Sequence, residues 1–237
     1  MGETFVDRGE AIRDILGRVR HRLISMREMG LDPPRLSTST VDYLVAVPSH
    51  VSSLLDLRRF IGECRKCRLY QGRTNLVFGE GSPRADLVFV GEAPGKEEDL
   101  EGRPFVGEAG RLLTKIIKAM GLEREAVYIC NVVKCRPPKN RDPERDEIEA
   151  CLPFLKKQIA LVRPKVICTL GRVAAQALLG RKFQITMERG KWYDFCGIPL
   201  MPTYHPAYLL RNPSAKRQVW EDVQKIIRHM GLEVTGK

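Results

Sequence analysis

Apolar residues follow two rhythms along this chain. Four short runs are β-rich and nearly continuous in apolar character: ADLVFVG at 85–91, AVYICNVVK at 126–134, KVICTLG at 165–171 and IPLMPTYHP at 198–206. Strands buried on both faces read this way. Between and before them, apolar residues recur every three or four positions, the helical period. SSLLDLRRFIGECRKC at 52–67 begins on a Ser cap, and EAGRLLTKIIKAMGL at 108–122 is ended by Gly121. PERDEIEACLPFLKKQIALV at 143–162 is opened by Pro143 and followed by Pro164, while GRVAAQALLG at 171–180 closes on Gly180. Proline at a helix start and glycine at its end are the expected punctuation. Strand and helix in alternation predict an α/β fold, a parallel sheet with helices on both faces.

Residues 10–30 differ. Ile12, Ile15, Leu16, Val19, Leu23 and Met26 stand at helical intervals with arginines between them, which predicts a basic amphipathic helix. LDPPRLSTST then breaks it with two prolines and a Ser/Thr run, the composition of a linker. The expected division is an extension over residues 1–50 and a main domain over 51–237.

Charge narrows the choice of partner. Lys and Arg total 40 against 29 Asp and Glu, a formal net charge of +11, which favours a polyanion such as nucleic acid or anionic lipid. No apolar run approaches the roughly 18 residues of a membrane span, and the N-terminus lacks a signal peptide's layout. A cytoplasmic protein without a membrane partner, acting as a monomer, is expected.

Against this basic background the loop after the first strand, GEAPGKEEDLEGRPFVG, is crowded with acids. A parallel sheet binds its ligands at the carboxyl ends of its strands, and four such ends read GEAPG, NVVKCRPP, TLGR and YHPAYLLRNP. Glu97, Asp99 and Glu101 read as a solvated loop. Glu92, directly after the strand, is held by the scaffold and is a candidate for chemistry. Phe105, between Pro104 and Val106 with Gly107 beyond, suits core packing or the stacking of a planar base. Asn131 lies in a buried strand, where an amide must brace a loop or read a ligand. His205 suits a structural, metal-binding or catalytic role. In HPAYLLRNP, Leu209, Leu210 and Arg211 combine apolar wedges with a cation, as in proteins that push side chains into a base stack.

Seven cysteines in a chain expected to be cytoplasmic argue for metal or burial rather than disulfides. Cys64 and Cys67 form a C-x-x-C pair; Cys135 and Cys151 lie sixteen positions apart. These four suit tetrahedral zinc or a cubane iron-sulfur cluster equally well. Cys130, Cys168 and Cys196 read as small hydrophobes.

Taken in order, GEAPG, GRPFVG, NVVKCRPPKNR, RGKW and HPAYLLRNP, with the cysteines interleaved, resemble the family-4 uracil-DNA glycosylases, from about Cys64 to Ile227. The resemblance implies a three-layer α/β/α sandwich around a short, mostly parallel four-stranded sheet. It implies a [4Fe-4S] cluster on Cys64, Cys67, Cys135 and Cys151, with zinc as runner-up, and a partner in uracil-containing DNA. The implied reaction flips deoxyuridine out of the helix and hydrolyses its N-glycosidic bond. His205 is then the donor to the departing base and Glu92 the group that positions or activates water. Asn131 reads the base edge, Phe105 stacks on it, and Gly91 and Ala93 line the pocket. Glu98 is a candidate for excluding thymine. Leu209, Leu210, Arg211 and Lys191 are candidates for DNA contact, Lys191 suiting an exposed hairpin as well; Arg136, Lys139, Arg141 and Arg217 are further candidates for phosphates. Relative to family 1, this loop has Ala93 in place of Asp and Gly95 in place of Tyr. Two rival functions are a non-catalytic iron-sulfur DNA-binding or redox-sensing module, and a glycosylase that also accepts hypoxanthine or xanthine.

Overall fold

The structure, a computed structural model, describes residues 47–48 and 51–232. The amphipathic helix and linker expected before residue 50 lie outside the described residues. The sheet has six strands rather than the four expected, in the order β1, β3, β2, β4, β6, β5. Its centre is parallel: β3 (Tyr128–Asn131), β2 (Leu87–Gly91), β4 (Val166–Leu170) and β6 (Ile198–Thr203) are the four runs expected from the sequence. The two additional strands are antiparallel edges, β1 (Glu80–Gly81) beside β3 and β5 (Tyr193–Phe195) beside β6. With two and three residues they are too short to leave a periodicity. β5 and β6 form the hairpin that follows Lys191 and Trp192.

Alternate residues of each central strand serve different cores. Val88, Val90, Ile167 and Leu200 pack with α1 (Leu54–Ile61), α4 (Arg145–Val162) and α5 (Arg172–Leu179). Leu87, Phe89, Cys168 and Met201 pack with α3 (Glu108–Ala119) and the final helix α8 (Lys216–His229). That double burial is why the strands are apolar throughout. Cys130 and Cys168 are fully buried in β3 and β4, as small hydrophobes, while Cys196 is exposed in the β5–β6 turn.

Two segments that read as loops are short helices, α2 (Lys96–Glu101) and α7 (Pro206–Arg211), with α6 (Ile185–Glu188) lying between α5 and β5. Asp99, expected to be solvated, is 3% exposed and accepts the backbone N–H groups of Thr74 and Asn75. It pins α2 to the chain that precedes β1. Among the described residues no helix is long and apolar enough to cross a membrane.

Candidate active site

The carboxyl ends of the parallel strands open into one cavity of about 540 Å³. Glu92, Ala93, Glu98, Phe105, Asn131, His205 and Arg211, spread over 120 residues of sequence, all line it. Asn131 is the last residue of β3 and sits in register with Gly91, the last of β2. A Cβ on Gly91 would come within 2.3 Å of Asn131 Oδ1 and 2.5 Å of Phe105 Cζ. The missing side chain therefore lets an amide and an aromatic ring share the strand mouth. Asn131 is 1% exposed, and its Oδ1 has no hydrogen-bond partner. A buried oxygen left without a donor costs stability, so this one is suited to a ligand that brings an N–H.

Phe105 is buried with φ near 54°, a conformation unusual for a bulky residue. Glu98 explains how it is held. Its carboxylate accepts the backbone N–H groups of Gly95, Val106 and Gly107, each at 3.0 Å. The start of α2 and the chain just after Phe105 are thus tied to one side chain, which places Glu98 on the backbone of the pocket wall. The Phe105 ring lies 5.5 Å from the His205 ring, centroid to centroid.

His205 precedes α7 and caps it: its Nδ1 accepts the Ala207 N–H at 3.1 Å. An accepting Nδ1 leaves the proton of a neutral imidazole on Nε2. Loss of hydration lowers its pKa to about 4, with Arg211 adding to the fall and Glu98 opposing it. The ring is therefore a neutral donor at physiological pH.

Glu92 behaves in the opposite sense. Burial and the neighbouring Asp142 carboxylate raise its pKa to about 7, against the pull of Arg172. Asp142, which also lines the cavity, is itself bound by Arg172 at 2.6 Å. Sequence reasoning gave neither Asp142 nor Arg172 a role; their only signal is position, Asp142 in the loop that leaves β3 and Arg172 at the first residue of α5, directly after the end of β4.

The candidate DNA contacts divide. Leu209 is 1% exposed and packs in the core that contains α3, so the expectation that it reaches DNA is corrected: its side chain is already committed to the fold. Leu210 is 42% exposed beside it, as α7 turns one leucine inward and the next outward. Lys191 is exposed before β5 and does not line the cavity. Arg141 lines it but also donates to the fully covered Glu147 at 2.7 and 2.8 Å.

The four paired cysteines do come together. Cys64, Cys67, Cys135 and Cys151 line one pocket, walled by apolar groups including Ile61, Leu76 and Phe154. The half-exposed C-x-x-C follows α1, Cys135 follows β3, and Cys151 lies in α4. Arg73 donates to Cys135 Sγ at 3.2 Å and to the Cys64 carbonyl at 2.8 Å. Among the described residues, no three His, Cys, Asp or Glu side chains are gathered closely enough to hold a single metal ion.

The family described as the Uracil DNA glycosylase superfamily matches residues 78–224. The type-4 uracil-DNA glycosylase of Sulfurisphaera tokodaii is 52% identical over 185 residues, covering 74% of this chain and 84% of that protein. The chain belongs to the type-4 uracil-DNA glycosylases. Two further members, from Saccharolobus solfataricus and Thermotoga maritima, are 49% and 50% identical over 70% of this chain, covering 81% and 88% of their own lengths. In this glycosylase the superfamily match begins at Phe78, after Cys64 and Cys67, and runs past His205 into α8.

Proposed function

We infer that the enzyme removes uracil from DNA by flipping deoxyuridine into the cavity and hydrolysing its N-glycosidic bond. The observation that carries this reading is the unpartnered Asn131 Oδ1, in the same cavity as a neutral His205 and the Phe105 ring. Uracil presents an N3–H beside its O4, so the Asn131 amide accepts one and donates to the other. Cytosine reverses both groups and would leave the amide unsatisfied. Phe105 supplies a face for the base. Gly91 and Ala93 keep the strand mouth open, and Glu98 shapes the wall indirectly through the backbone.

As the bond between C1′ and N1 breaks, its electron pair moves into the uracil ring and the sugar becomes cationic. His205 Nε2–H donates to O2, where negative charge gathers, and a neutral imidazole suffices for this. Water adds to C1′ and passes a proton to Glu92, whose carboxylate also stabilises the cationic sugar. A base with a pKa of about 7 is well matched to neutral pH. Arg211 and the exposed Leu210 face the DNA flanking the flipped nucleotide, with Lys191 further along the same end of the sheet.

The four cysteines would hold a [4Fe-4S] cluster. Their chemistry supports this: four thiols, an apolar wall and a guanidinium to offset negative charge. When bound, the cluster ties the segment after α1 to β3 and α4. The separate cores on the two sides of the sheet support the three-layer α/β/α arrangement, with residues 51–237 as the glycosylase domain and 1–50 as an extension.

The test is to incubate the purified protein with an oligonucleotide containing one uracil and then cleave abasic sites with alkali, alongside His205→Ala. Strand scission at uracil by the native enzyme, sharply reduced in the variant, is expected. Intact strands from both would sink the reading.

A further inference from the structure

Lys134 is 1% exposed, at the end of the apolar run that leaves β3. Its Nζ donates to the backbone carbonyl of Asn131 at 2.7 Å and to Gln158 Oε1. Gln158 is also fully buried, and its Nε2 donates to the Phe78 carbonyl at 2.8 Å and to Tyr128 Oη at 2.9 Å. The lysine head is therefore fixed by β3, by α4 and by the chain before β1, and both of its acceptors are neutral. A buried ammonium satisfied only by neutral oxygens lacks a counter-charge, an expensive arrangement. What can supply one is the cysteine pocket, which Lys134 also lines. Cys135 is the next residue, and the Lys134 carbonyl is held by the Val77 N–H at 2.8 Å, beside the Leu76 wall of that pocket.

One residue thus belongs to both sites: it lines the cysteine pocket and leads directly into Cys135, while its Nζ holds the peptide that aims the Asn131 amide. The amide oxygen has no protein partner to orient it, so its direction depends on the backbone behind it. The end of β3 is fixed on one side by Val132 N–H to the Gly91 carbonyl at 2.9 Å, and on the other by Lys134.

We propose that Lys134 is a positioning residue that couples the four-cysteine site to base recognition, acting as counter-ion to the thiolates while clamping the carbonyl of Asn131. This rests on the reading of Asn131 as the base reader and of the cysteines as cluster ligands. Occupancy or charge at the cysteines is then felt at the uracil edge, through a single side chain.

The experiment compares the cluster-loaded native enzyme with Lys134→Met, which keeps the stem and removes donors and charge. Three quantities are read: iron content with absorbance near 400 nm, single-turnover excision of uracil, and the cluster's midpoint potential. The expected variant retains its iron, excises uracil about ten- to a hundredfold more slowly, as is usual for groups just behind metal ligands, and has a lower potential because a nearby positive charge is gone. Unchanged excision and unchanged potential would overturn the proposal. Should the variant fail to fold, the native enzyme decides by reciprocity. An oligonucleotide carrying 2′-fluorinated deoxyuridine, which resists cleavage, should shift the potential relative to the same strand with thymidine; equal potentials would overturn the coupling. A native enzyme that releases no uracil would instead count against the function assigned above.

Discussion

Glu92 lets one substitution test stability and catalysis together. Its carboxyl is raised from 4.5 to about 7, first by burial and then by Asp142. Between those values the folded protein holds a proton that the unfolded chain has lost. Stability contributed by the protonated group is therefore present below about pH 4.5 and is lost as pH rises through 7. The full difference corresponds to about 3 kcal/mol, reduced to about 2 because the side chain is partly open to the cavity. Glu92→Gln removes the titration and can still donate to Asp142. It should raise stability by about 2 kcal/mol at pH 8.5 and leave it nearly unchanged at pH 4.

Catalysis should move the other way. Single-turnover uracil release by the native enzyme should climb up to about pH 7 and level off above, since His205, with its pKa of about 4, stays neutral throughout. The glutamine variant should lose that climb and fall at least about 100-fold on the plateau. Denaturant midpoints at pH 4 and 8.5, with excision assayed from pH 5 to 9, give both quantities. A variant that keeps the climb near pH 7, or that is no more stable than the native enzyme at pH 8.5, would refute the role given to Glu92 and the origin of its shift.

Other substitutions separate the remaining parts. His205→Ala should raise the barrier to excision by roughly 3 kcal/mol, the range of a lost oxyanion donor, with little change in uracil-DNA affinity; a loss confined to binding would contradict it. Asn131→Asp replaces a donor with an acceptor, so uracil release should fall and cytosine release should become detectable, measured on paired oligonucleotides. Gly91→Ala drives a methyl into Asn131 Oδ1 and Phe105, and excision should drop by two orders of magnitude or more while circular dichroism still reports the fold. Glu147→Ala removes the partner of Arg141 and the acceptor of the Glu144 N–H. It should cost about 2 kcal/mol in a denaturant titration, less than the 3 to 5 of a fully buried pair because Arg141 is partly exposed.

The central sheet and its main helices were legible because double burial leaves continuous apolar strands and helices keep their period. Edge strands β1 and β5 were not, since two or three residues carry no rhythm. Helix α7 was hidden by its prolines, though Pro206 stands at a helix start, where proline fits. That Glu92, Asn131 and His205 share one cavity was readable from their places at strand ends. Acids that brace the fold looked the same in sequence as acids that meet solvent, which is why Asp99 was misplaced. Leu209 and Leu210 show a related limit. Only the helical turn between them decides which one the core takes.

Why a chain with a net charge of +11 gathers acids at its active site follows from how they are used. Glu98 and Asp99 spend their charge on backbone N–H groups, at 2.9 to 3.3 Å, and so hold the Phe105 loop and α2 in place. Asp142 is neutralised by Arg172 yet close enough to raise Glu92. Of the other acids lining the cavity, Glu97 and Glu108 are exposed to solvent, so under the proposed mechanism Glu92, poised near neutrality, is the carboxylate that faces the position where the sugar turns cationic. On the proposed reading, the phosphates either side are met by cations standing clear of that group, Arg211 at the cavity rim and Lys191 at the sheet edge. Neutralising Arg211 should therefore weaken DNA binding and flatten its salt dependence by about one counterion, while the pH climb set by Glu92 stays where it is. A shift of that climb would show that binding charge and catalytic charge are not separated in this way.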